Sequence, residues 1–463
     1  MIVTASARSL EPGPLSGAGS TCVRPALMRG LIFLARHGVA CGLLLATTAW
    51  STPPADSRHA AVSDSNGDSK LHHTDGRSQL KHNVITAAAG GTGYVQAIAP
   101  ERRQERAQLL RTGEAALARL ELDAAINAFD RAALIEHAAD TEISLVRAYM
   151  QTGPYRRALA SGAHTAGAHL DAVASSALYA WLLLAGGQGV IGQRLLDEAQ
   201  ARLPNNPIVD SAQRQLRSGS PLATGLLLRV PTRLAPYRSG PRLPRRAQVA
   251  GSALLLADGR QALAPLALVT TGSRATMWVR NGIGQRVSAT VLTRLPSIGV
   301  ALLQLDKPLP VADAPAAAAN QVFPGSAGFA VEYTANPGSE AAWPVLHTGF
   351  LGGMTNNPAR PDERALGITM PPGPRGGPVF DAAGRLIGMA LAPPGLLQKA
   401  AAAPILVSAA ILQRALGQAA PSARLGAAPP ASVSAPVATL ARVPVDVIYE
   451  NALRTTLQLI TLR

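Results

Sequence analysis

The stretch that most limits how this chain can fold is "PPGPRGGPVFDAAGRLIGM", residues 371–389. Gly376-Gly377-Pro378 leads into a short apolar run, an Asp-x-x-Gly turn at 381–384 and a second apolar run ending at Ile387-Gly388. Glycine reaches backbone conformations closed to other residues, so this pattern writes a tight loop feeding a two-stranded hairpin. Arg375 stands inside the glycine frame, where a long cation contributes nothing to the turn.

The same punctuation, short apolar runs broken by Gly, Asp-Gly and Pro, extends from Ala247 and reads as all-β. "PILVSAAILQRAL" (404–416) reads as a helix that closes the region. Five stretches, in order, resemble the trypsin-like serine proteases, particularly the periplasmic high-temperature-requirement type. They are "AGSALLLADGRQALAPLALV" (250–269), "RVSATVLTRLPSIGVALLQLD" (286–306), "FPGSAGFAVEYTANPG" (323–338), "LHTGFLGG" (346–353) and the glycine hairpin itself. The resemblance covers roughly 247–416 and implies two packed six-stranded antiparallel barrels with a C-terminal helix.

Carried across position by position, the resemblance places the triad histidine on Ala267, the aspartate on Gly299 and the serine on Arg375. Acyl transfer needs an oxygen nucleophile, an imidazole to take its proton and a carboxylate to hold that imidazole. Ala267 and Gly299 offer neither acceptor nor orienter, and arginine stays protonated. His347, the one histidine of 247–416, falls on the strand before the loop; no serine lies between 340 and 407, and Thr369 has no base. The backbone of Gly373, Arg375, Gly376 and Gly377 would still form the loop whose N–H groups make an oxyanion hole in active relatives. The expectation is therefore a pseudoprotease, with Arg375 between the barrels beside Ala267 and Gly299 and no histidine near any of them. The alternative is a working serine endopeptidase whose triad lies elsewhere.

Upstream, the period changes to that of helices. Ala125, Phe129 and Ala132 share one helical face. A step of about 34 residues reaches Ala158, preceded by Tyr149 and Gly153, and a second step reaches Gly192, with Leu196 and Ala199 on its face and Gly187 at the turn before it. This period resembles the tetratricopeptide repeat, implying about three helix pairs over 106–206 that stack into a concave surface for a peptide or partner protein. Phe129 is expected in the core, with Tyr149, Tyr179 and Trp181 divided between core and concave face.

The expected fold class is thus multidomain α + β, a helical tetratricopeptide-like array (101–214) followed by a trypsin-like double β-barrel (247–416). Residues 1–51 carry a secretory leader, basic then apolar then small, whose logic begins at Met28. This implies export to the periplasm, with an uncleaved leader as anchor the alternative. Residues 52–100 read as a polar linker, 215–246 as a stiff Pro/Arg linker and 417–443 as an Ala/Pro linker. Cys22 and Cys41 both lie in the leader, which leaves the exported chain without disulfides or cysteine-ligated metal. His72 and His73 lack carboxylate or cysteine neighbours, and neither a metal site nor a cofactor is expected. A formal net charge of +15 over 463 residues permits weak contact with an anionic envelope surface. The arginines are scattered without interleaved aromatics, so nucleic acid is not an expected partner.

Residues 444–463 form a separate element. Tyr449-Glu450 sit in a short helical stretch, and Leu457, Leu459 and Thr461 alternate with Gln458, Ile460 and Leu462 as in a strand. The first barrel lacks the opening strand its relatives have, so this tail is expected to pair antiparallel near 250–257. The strand would come from the same chain or, through strand exchange in an oligomer, from a neighbouring copy.

Overall fold

The computed structural model describes residues 98–218, 237, 239–269, 277–311, 316–317, 323–335, 338–355, 363–371, 375–392, 404–426 and 442–462. The leader and the segment to residue 97 lie outside them. Among the described residues, no helix is long and apolar enough to cross a membrane.

Helices come first: α1 (Pro100–Ala118), α2 (Leu122–Ile135), α3 (Ala139–Thr152), α4 (Tyr155–Ala168), α5 (Val173–Ala185), α6 (Gly189–Arg202) and α7 (Pro207–Ser218). Ala125, Phe129 and Ala132 are fully buried on α2, and Ala158, Leu196 and Ala199 are buried on α4 and α6. Gly153 ends α3 in the left-handed region, its N–H bonded to Tyr149 O at 3.0 Å. Gly187, also left-handed, turns the chain between α5 and α6, and Gly192 lets α6 lie against Ala180 O of α5. Tyr149 and Trp181 join the core while Tyr179 is half-buried. The helical pattern runs past the expected end of the array: Val209, Ala212 and Leu216 of α7 are buried, and the helix extends to Ser218.

Two closed six-stranded barrels follow. The first contains β1 (Ala247–Leu255), β2 (Gln261–Pro265), β3 (Met277–Asn281), β4 (Arg286–Leu295) and β5 (Val300–Leu305). The second contains β6 (Ala327–Glu332), β7 (Val345–Met354), β8 (Arg364–Ile368), β9 (Pro378–Phe380), β10 (Leu386–Leu391) and β11 (Ile405–Ser408). Helices α8 (Ala409–Ala419) and α9 (Val445–Thr455) come next, and β12 (Thr456–Leu462) returns to the first barrel. Neighbours run β1-β12-β3-β4-β5-β2 in the first barrel and β10-β11-β8-β7-β6-β9 in the second. Closure leaves neither sheet with an open edge.

Strand β12 is antiparallel to β1 from Ala247↔Leu462 to Leu254↔Thr456, with an irregularity between Val249 and Gly251. Its other edge pairs with β3, placing Leu459 opposite Val279. Leu457 and Leu459 enter the barrel core with Ala253, Leu255, Met277 and Leu303. The opposite face is buried as well: Ile460 packs on Ala247, Val249 and Trp278, and Gln458 accepts a 2.9 Å hydrogen bond from Arg280 Nε.

Two boundaries differ from the sequence expectation. The segment 404–416 is not helical throughout. Ile405, Leu406 and Val407 are buried between β10 and β8, so they form a strand, and the helix begins after Ser408. The start of the Ala/Pro segment also packs. Ala423 and Leu425 are buried, and Arg424 O accepts from Ala257 N at 3.0 Å.

Helix α9 touches all three parts. Tyr449 packs edge-on against Tyr155 of α4 at 4.5 Å and donates to Pro344 O of the second barrel at 2.7 Å. Leu453 O accepts from Gly282 N of the first barrel at 2.7 Å. Trp181 and Trp343, with ring centres 5.2 Å apart, join α5 to the second barrel. Helices and barrels therefore share one core cluster.

Candidate functional site

The hairpin of β9 and β10 turns through Asp381, whose Oδ1 accepts from Ala383 N at 2.9 Å and Arg385 N at 3.0 Å. Upstream, the loop is wedged between the barrels. A Cβ on Gly376 would lie 2.1 Å from Ser252 O and 2.7 Å from Pro265 Cγ of the first barrel. A Cβ on Gly377 would lie 1.9 Å from Val331 O of the second. No side chain fits at either position, which is a packing reason for both glycines independent of chemistry. Gly373 lies outside the described residues.

The three positions where the resemblance puts a triad adjoin this wedge through their chain neighbours. Ala267 is exposed on the short turn Leu266–Leu268, which directly follows Pro265. Gly299, left-handed at φ +70°, caps the turn Pro296–Ile298, and its carbonyl accepts from Leu266 N at 2.9 Å. Arg375 immediately precedes Gly376. Ala267 and Gly299 bring no group able to exchange a proton.

The sequence reading missed what faces the loop. Glu332, at the end of β6, is buried, and its Oε1 accepts from Gly376 N at 3.3 Å and Gly377 N at 3.0 Å. These two amides serve an internal carboxylate rather than an open cleft. Burial pushes the Glu332 carboxyl up, opposed by the Ser252 hydroxyl, the Arg375 charge and the two amides. Its Oε2 is buried without a hydrogen bond. Ser252 joins the barrels by accepting from Tyr333 N at 2.7 Å.

Arg375 is half-buried and donates through Nη2 to Pro371 O. Burial lowers its pKa, partly offset by Glu332. His347 of β7, paired with Ala330 of β6, lies within electrostatic range, and burial together with the Arg375 charge lowers its imidazole to about 4. The strand order explains this proximity, because β6 lies between β7 and β9. His347 is therefore neutral at neutral pH.

Two closed barrels with a glycine loop packed between them have the fold of a trypsin-like peptidase domain, and residues 251–389 match the family model of that description. Among solved structures, the HtrA-type protease AlgW with a decapeptide is similar at 18% identity over 36% of this chain and 51% of that one, TM-score 0.31. This chain thus covers about half of the AlgW chain's length. The MamO protease domain from Magnetospirillum magneticum, in its apo form, is similar at 19% identity over 36% of this chain and 94% of that one, TM-score 0.28. No curated protein matches the sequence.

Proposed function

We propose that this chain is an exported, catalytically inactive trypsin-like protease homologue that binds a protein or peptide partner in the cell envelope. This reading rests on Ala267, Gly299 and Arg375 standing where the resemblance puts a triad, a set with neither nucleophile nor base. Glu332 on the Gly376 and Gly377 amides supports it, since a carboxylate occupies donors of the loop. Arg375 fills the wedge as a fixed cation and offers its remaining donors to a carboxylate. Binding then falls to the helical array and the barrel junction, and export follows from the leader.

The test is incubation of the purified protein with a fluorophosphonate probe, which reacts with any activated serine. No covalent adduct is expected, from the wild type or from Arg375→Ser, because a new hydroxyl would have no base. Labelling of the wild type would instead establish an active endopeptidase, and labelling of Arg375→Ser alone would reveal His347 or another group as a base.

A further inference from the structure

Far from the barrel junction, at one corner of the helical array, three histidines close around a single glutamate. His137 lies in the link between α2 and α3, Glu142 in the first turn of α3, His164 near the end of α4, and His169 at its C-cap. All three rings turn Nε2 toward the carboxylate. His137 Nε2 is 2.7 Å and His164 Nε2 3.4 Å from Glu142 Oε1; His169 Nε2 is 3.5 Å from Glu142 Oε2. His137 and His164 bring their Nε2 atoms within 3.2 Å of each other.

These separations have a simple meaning. Four ligands held about 2.0–2.1 Å from a tetrahedral zinc ion lie about 3.3 Å from one another. The ligand atoms of His137, Glu142 and His169 all lie within 4.8 Å of one another, near enough to close on one ion with a small side-chain adjustment. Protein hydrogen bonds account for only part of this convergence. His169 Nε2 and Glu142 Oε2 are both buried without a hydrogen-bond partner, an arrangement that costs free energy unless something else satisfies them. Imidazole nitrogens with one carboxylate suit zinc and its neighbours among the late first-row metals, whereas calcium and magnesium prefer all-oxygen cages. Access is open on one side, where His137 and His164 are 59% and 61% exposed, while His169 and Glu142 form the buried floor at 15% and 13%.

We propose that His137, Glu142 and His169 bind one zinc ion, with His164 at the rim of the site. The ion joins the α2–α3 corner to the C-terminal end of α4, fixing the angle between successive helical hairpins. The site is independent of the reading of the barrels, and either can fail without the other.

The test uses the full chain stripped of metal by a chelator. Calorimetric titration with zinc is expected to show one ion per chain, and cobalt substitution the intense visible absorption of tetrahedral Co²⁺. Loss of an outer partner of a metal ligand weakens binding about 10–100-fold, so removing a ligand by Glu142→Gln or His169→Ala should exceed about 100-fold. His137→Asn changes an exposed side chain and is expected to keep the apo fold by circular dichroism while losing the ion. Zinc should raise the melting temperature of the wild type and leave that of His137→Asn unchanged. The double substitution His72→Ala with His73→Ala should bind as the wild type does. Absence of one-to-one uptake, full-strength binding by Glu142→Gln and His137→Asn, or loss of binding on removal of His72 and His73 would each overturn the assignment.

Discussion

Replacing Leu459 by alanine tests whether β12 is a working stave of the first barrel. Leu459 is fully buried, paired with Gly251 of β1 and Val279 of β3, and its side chain lies in the barrel core with Ala253, Leu255 and Met277. Truncating a buried leucine costs about 2–5 kcal/mol through lost transfer energy and the cavity left behind. In a cooperative unit of about 150–250 residues each kcal/mol moves the melting temperature by about 2–4 °C, so a fall of roughly 4–20 °C is expected. Leu462→Ala is the internal control, since that side chain is 38% exposed at the same strand's end and its loss should cost under about 0.5 kcal/mol. Thermal unfolding followed by circular dichroism on the two variants and the wild type decides the matter. Equal melting temperatures for Leu459→Ala and Leu462→Ala would show that the strand does not sit in the barrel in solution.

Four further substitutions probe the junction, helix α8 and the tail. Gly377→Ala drives a Cβ against Val331 O and should destabilise by about 1–3 kcal/mol or more, whereas Gly417→Ala, with nothing within 4 Å on helix α8, should stabilise by up to about 1 kcal/mol; urea midpoints in the opposite order would refute the wedge. His347 takes up its proton near pH 4 in the fold against 6.5 unfolded, so its contribution is intact above about pH 6.5 and is lost as pH falls toward 4, by at most about 3 kcal/mol. His347→Gln should flatten that part of the stability profile, and an unchanged acid slope would count against the burial described. Tyr449→Phe removes the hydroxyl that donates to Pro344 O and should cost about 1–3 kcal/mol in denaturant titration.

The barrels were legible because their signal is local. Gly376-Gly377-Pro378 and the Asp381 turn specify a hairpin by backbone geometry alone, and the alternation of Leu457 and Leu459 marks a strand wherever it docks. Phe129 and its alanine neighbours showed a buried helical face for the same reason. Contacts made by the fold at a distance were hidden. Glu332 reads as one polar residue in an apolar strand, and nothing in its neighbours announces that it meets amides 44 and 45 residues away. His347 was placed on its strand correctly, but its nearness to Arg375 depends on the order of β7, β6 and β9 across the sheet. The histidine corner left a faint trace: His137 precedes Glu142 by the same five positions that separate His164 from His169. That repeated spacing gains meaning only when α2, α3 and α4 bring the two pairs together.

The placement of β12 also governs the order of folding. The stave between β1 and β3 is encoded after the whole second barrel, so a ribosome or translocation pore delivers the first barrel's other five strands long before the one that closes them. Bringing such distant segments together carries a loop-closure cost that strands β6 to β11 do not bear, and topologies of this kind fold slowly. The barrel that comes second in the chain should therefore form first. Until β12 arrives, the edges of β1 and β3 stay open to any extended peptide, including the same segment of another nascent copy. Pulse-labelled hydrogen exchange during refolding should protect amides of β6 and β7 before those of β12; simultaneous protection would mean that the barrels fold as one unit.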